Sequence, residues 1–124
     1  MIANTPSITV IGFGEAGASL CIGWKRAGVR SFDIKQTQPQ TQAAILAAMH
    51  KLGVESAADA ASAVSDADLI FSTVTADQAF DAAASVAPGL KPGAFFFDLN
   101  SCAPTTKQKS AAVIEAAGGR YVDI

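Results

Sequence analysis

The chain has 124 residues, of which 50% are hydrophobic and 16% charged, with a formal net charge of −2. This length sets one domain with its own core, and the low charge with high apolar content excludes intrinsic disorder. Scattered lysines and arginines leave no nucleic-acid footprint, and no apolar run reaches the roughly 20 residues of a membrane helix.

Met1 to Pro6 lack the basic and apolar regions of a signal peptide. Cys21 and Cys102 make neither a disulfide framework nor a zinc pattern, so a cytoplasmic location is expected and no metal site is.

The first apolar run, Ile8 to Ile11, is β-branched and reads as a buried strand stopped by Gly12. Ala16 to Ala27 has helical spacing, with Lys25 and Arg26 in its last turn and Gly28 as a cap. Val29 to Ile34 is a short strand, Lys35 to Gln42 a loop, and Ala43 to Leu52 a helix ended by Gly53. Val54 and Glu55 allow only a brief strand, and Ala57 to Val64 a short helix.

Leu69 to Val74 has strand length, and Thr75 can cap a helix over Asp77 to Val86. Ala94 to Leu99, with Phe95 to Phe97 in succession, reads as a strand buried on both faces. Pro104 suits a first helical turn, Thr105 to Ala117 continues that helix, and Tyr121 to Ile124 begins a last strand. Strand and helix alternate about six times, which predicts an α/β fold. The expected form is a Rossmann-like doubly wound parallel sheet of about six strands, order 3-2-1-4-5-6, with helices on both faces.

Gly12-Phe13-Gly14-Glu15-Ala16-Gly17 is a full G-x-G-x-x-G between strand and helix. Gly12 permits the tight turn, Gly14 lets backbone approach a pyrophosphate, and Gly17 lets the helix pack on the sheet. The opening helix then offers unpaired N–H groups to an anion. Glu15 beside that position costs some affinity. Asp33, at the end of the second strand, can accept from an adenosine ribose and would repel a 2′-phosphate, so NAD is expected over NADP. Lys35 and Gln36 just beyond it could soften the repulsion. A plain glycine-rich turn and a methyltransferase-type cofactor site are the competing readings.

Thr73, Val74, Thr75 and Asn100 end the fourth and fifth strands at the sheet's ligand-binding edge and are further cofactor candidates. Ser101 is the substrate-contact candidate. The competing reading for Asn100 and Ser101 is a cap on the Pro104 helix. Lys107 and Lys109 read as a solvated helix face, His50 as a surface residue, and Cys21 as helix packing.

Taken together, Ile11 to Gly17, Ala67-Asp68-Leu69-Ile70, Asp98 to Pro104, and Gly118 to Asp123 resemble the N-terminal domain of the β-hydroxyacid dehydrogenase superfamily. That superfamily includes 6-phosphogluconate and 3-hydroxyisobutyrate dehydrogenases. The resemblance covers essentially the whole chain and implies an NAD(P)-binding domain. Its enzymes oxidise a hydroxyl of a small hydroxyacid by hydride transfer to nicotinamide. It also places the catalytic lysine in a helical C-terminal domain beyond Ile124, so the chain alone is expected to bind cofactor without turnover. A stand-alone regulatory dinucleotide module is the alternative. With that helical domain missing, homo-oligomer formation through the open face or the last strand is expected.

Overall fold

Six parallel strands and the helices between them form one sheet-centred unit. The computed structural model describes residues 5–24 and 28–124, so the predicted last-turn residues Lys25 and Arg26 lie outside the described residues. The strands are β1 (Ile8–Ile11), β2 (Arg30–Phe32), β3 (Glu55–Ser56), β4 (Leu69–Ser72), β5 (Phe95–Asp98) and β6 (Arg120–Asp123). The helices are α1 (Glu15–Trp24), α2 (Gln42–Lys51), α3 (Ala60–Val64), α4 (Ala79–Val86) and α5 (Pro104–Ala116).

The strand order is β3-β2-β1-β4-β5-β6, every pair parallel. β1 is therefore the switch strand: Val10 pairs with Ser31 on one side and Phe71 on the other. All four of its residues are buried, as a β-branched run covered on both faces requires. Ligands in open α/β sheets sit beyond the carboxyl ends of strands at such a reversal. No helix among the described residues is long and apolar enough to cross a membrane.

Two apolar layers flank the sheet. On one face α1 and α2 bring Cys21, Ile45 and Met49 against Ile8, Val10 and Val29. On the other, α3, α4 and α5 bring Val64, Val86 and Ile114 against Ile70 and Phe96. Burial raises the Cys21 thiol above its ordinary pKa, consistent with a packing residue rather than a nucleophile.

Several expectations shift. β5 is buried on one face only, because Phe95 and Phe97 are half-buried. On that face the aromatic rings serve as one another's neighbours. Phe71 stacks on Phe97 at 4.8 Å, Phe97 on Phe95 at 6.0 Å, and the Arg120 guanidinium lies 5.2 Å from the Phe95 ring centre. The polar stretch after β2 is not all loop: Ile34 to Thr37 form a 3₁₀ turn closed by a capping box between Asp33 and Gln36. Thr75 makes no side-chain cap, and a 3₁₀ turn, Ala76–Gln78, precedes α4. Lys107 is not on a solvated face. Its side chain is only 14% exposed and pairs with Asp123, which holds its ammonium pKa above the ordinary value.

Candidate functional site

The glycine turn is built from mutual crowding. At Gly12, with φ +92°, a Cβ would stand 2.4 Å from the Thr73 carbonyl oxygen and 2.7 Å from Val74 Cγ1. At Gly17 a Cβ would stand 2.2 Å from the Gly12 carbonyl oxygen. Both glycines are thus required by the protein's own packing. Gly14 is different: a Cβ there meets nothing within 4 Å. The side of the turn that Gly14 presents is open.

Three hydrogen bonds hold the turn in place. Gly12 N–H donates to the Phe32 carbonyl at 2.9 Å, Phe13 N–H to Asp33 Oδ2 at 2.7 Å, and the Thr73 hydroxyl to the Gly12 carbonyl at 2.8 Å. Gly14 precedes α1 and accepts from Ala18 N–H at 3.0 Å. Among the described residues, the amides of Gly14, Glu15 and Ala16 have no protein acceptor, as the first turn of a helix dictates. Open space, free amides and a helix N-terminus together fit a phosphate group. The Glu15 side chain is exposed.

Asp33 sits at the cleft beside this turn, 7% exposed. Its second oxygen accepts from Lys35 N–H at 2.9 Å. Each carboxylate oxygen can take more than one donor, so this clasp leaves acceptor capacity toward the cleft. Gln36 turns inward: its Oε1 accepts from Asp33 N–H and its Nε2 donates to the Ala57 carbonyl. Lys35 instead lines the cleft. The cleft measures about 330 Å³, and its walls include Ile11, Phe32, Ile34, Val74 and Thr75.

A second cleft of about 550 Å³ lies on the other side of Thr73 and Val74 and is lined by Ser19, Ala76, Asn100 and Ser101 among others. Asn100, 5% exposed, spends its amide internally: Oδ1 accepts from Val74 N–H at 2.7 Å and Nδ2 donates to the Ser72 hydroxyl at 3.0 Å. It fixes the loop after β4 and at the same time lines the second cleft. Neither Asn100 nor Ser101 caps α5, whose N-cap is Ala103 without a side-chain bond. The structure thus brings the predicted residues from Gly12 to Gly17, Asp33, and Thr73 to Thr75 to one switch point, with Asn100 and Ser101 across it.

The sequence reading missed residues of α4 and the turn before it. Gln78, Asp81, Ala82 and Ser85 all line the first cleft. Helical spacing puts Asp81 and Ser85, four apart, together on the polar edge of a helix whose Ala79, Ala82, Ala83 and Val86 are buried, but carries no signal of the cleft that edge borders. Also missed was a buried knot at the end of β5, where Tyr121 O–H donates to Asp98 Oδ2 at 2.6 Å and Asn100 N–H to Oδ1 at 3.0 Å. Burial, then the Asp98 contact, pushes the Tyr121 phenol pKa well up, so its hydroxyl stays a donor.

A doubly wound parallel sheet with an open, amide-lined glycine turn at its switch point defines a Rossmann-like nucleotide-binding domain. Comparison makes this specific: the chain belongs to the family of NAD-binding domains of 6-phosphogluconate dehydrogenase, whose model matches residues 7–124. That membership sets aside the methyltransferase-type reading. A search of curated proteins finds no match.

Among solved structures, a conserved hypothetical protein from Sinorhizobium meliloti 1021 is 35% identical over 95% of this chain and 40% of its own, with a TM-score of 0.86. A 3-hydroxyisobutyrate dehydrogenase from Mycobacterium tuberculosis shares the fold at 22% identity, 97% and 40% coverage and TM-score 0.80. An imine reductase from Myxococcus stipitatus, in complex with NAD+, does so at 23% identity, 97% and 40% coverage and TM-score 0.78. The chain spans about 40% of the length of these structures.

Proposed function

We propose that this domain binds NAD in preference to NADP and serves an oxidoreductase that oxidises a hydroxyl of a small hydroxyacid. The observation that carries the reading is the open side of Gly14, beside free first-turn amides and continuous with a cleft that Asp33 lines. The amides of Gly14, Glu15 and Ala16 would hold the pyrophosphate, and Asp33 would accept from the adenosine ribose. When bound, the dinucleotide supplies a hydride acceptor. Asn100 keeps the Val74 amide engaged and thereby holds the loop between the two clefts. Ser101, in the second cleft, would offer its hydroxyl to the substrate, and Thr75, in the first cleft with Asp33, to the cofactor. The hydroxyacid substrate class rests on the family resemblance.

A phosphate on the ribose 2′ position would face a carboxylate already held by two backbone amides and unable to swing away without losing both. At about 4 Å and an effective dielectric near 20, like unit charges repel by about 4 kcal/mol, reduced where water enters. Calorimetric titration with the two dinucleotides should give NAD at least tenfold the affinity of NADP. Equal affinities would remove Asp33 as the selector, and binding of neither would remove the dinucleotide reading.

A further inference from the structure

We infer that Asp81 makes this cleft selective for adenine, by accepting a hydrogen bond from the exocyclic amino group of the dinucleotide's base. The inference rests on the dinucleotide reading above. α4 follows β4, whereas Asp33 follows β2, so the two acids reach the same cleft from opposite sides of β1. Between them the cleft is apolar, walled by Ile11, Phe32, Ala60, Val74 and Ala82. Ile34, on the Asp33 side, is 52% exposed although it is a large aliphatic residue. A flat, weakly polar ring seated beside Ile34 would take that surface out of water. A ribose held at Asp33 directs its base toward this wall and toward α4.

The polar groups on the α4 side are of matching kind. The Asp81 carboxylate is exposed and, among the described residues, has neither ion pair nor hydrogen bond. The Ser85 hydroxyl gives its proton to the Asp81 main-chain carbonyl, which leaves its oxygen as an acceptor. An acceptor-only carboxylate beside an acceptor hydroxyl suits an amino group and opposes a carbonyl. Adenine carries the amino group at this position, whereas hypoxanthine and guanine carry a carbonyl. The Gln78 carboxamide, lining the same cleft, can donate to a ring nitrogen.

The test is titration of the full chain with NAD and with its deaminated analogue, nicotinamide hypoxanthine dinucleotide, followed by fluorescence or calorimetry. The native chain should bind NAD at least tenfold more tightly, the size of one hydrogen bond to a charged group. Asp81→Asn, at an exposed position, should keep its unfolding midpoint and bring the two affinities within about twofold of each other, because an amide can donate to the carbonyl as well as accept. Equal binding of both dinucleotides by the native chain overturns the inference and leaves NAD binding intact. A preference that persists unchanged in Asp81→Asn also overturns it. Binding of neither dinucleotide overturns the inference together with the reading beneath it.

Discussion

Asp33, just after β2, and Asp98, ending β5, stand on the same edge of the sheet, and both are buried, at 7% and 1% exposure. Their partners differ in kind. Asp33 is held by two backbone amides, from Phe13 and Lys35, and lines a cleft. Asp98 is closed in by the Tyr121 phenol and by Asn100 N–H, and it lines neither cleft described above. A carboxylate fixed by the main chain of an open glycine turn is preorganised and keeps acceptor capacity toward the cleft it lines. One sealed by a side-chain donor from the neighbouring strand is a structural tie. Residue type and strand-end position are the same for both, so the neighbours decide the role.

The largest effect should come from removing the tie. Asp98→Ala leaves the Tyr121 hydroxyl and the Asn100 amide without their acceptor, and urea unfolding should show a loss of about 3 kcal/mol. The NAD affinity of the folded fraction should stay within about twofold, and a selective loss of affinity would break the contrast. Within the turn, Gly17→Ala should cost about 2 kcal/mol, because the new methyl group collides with the Gly12 carbonyl. Gly14→Ala, with open space around it, should leave stability within about 0.5 kcal/mol while weakening NAD binding about tenfold.

Asp33→Asn separates clasp from charge. The amide oxygen can still accept from Phe13 N–H, so stability should fall by about 1 kcal/mol. The NAD to NADP affinity ratio, read by titration, should drop about tenfold. A third acid at the opposite end of the sheet calibrates the smallest effect. Asp68 precedes β4, pairs with Lys91 and accepts from Ser7 N–H, and these contacts hold its carboxyl below the ordinary range. Its contribution is present at neutral pH and disappears as pH falls below the ordinary carboxyl value and through the depressed folded one. Asp68→Asn should therefore flatten the acid limb of a stability-versus-pH curve by less than about 1 kcal/mol, since the pair is exposed and screened.

Much of this molecule was readable before its coordinates. The β-branched run at Ile8, the glycine spacing from Gly12 to Gly17 and the acid at Asp33 are local patterns with local causes, and the strand order follows from handed crossovers. What escaped is non-local. Phe95 and Phe97 are chemically indistinguishable from Phe96 in the sequence, yet only Phe96 meets the helices of its face. The tie that Asn100 makes was not legible because its partners, Val74 and Ser72, belong to the neighbouring strand and the loop after it. Lys107 read as solvated because Asp123 arrives from another element. Asp81 escaped because nothing in a helix's own periodicity says which cleft its polar edge borders.

The strand order has a consequence for biosynthesis. β1 precedes the other five strands in the chain but lies inside the sheet, and its second neighbour, β4, follows only after the β2 and β3 units have been made. Until then its outer edge is an unmatched ladder of main-chain groups, and closing it demands a distant encounter. Because both cleft walls meet across that seam, a ligand that bridges the cleft ties together two parts of the sheet made at different times.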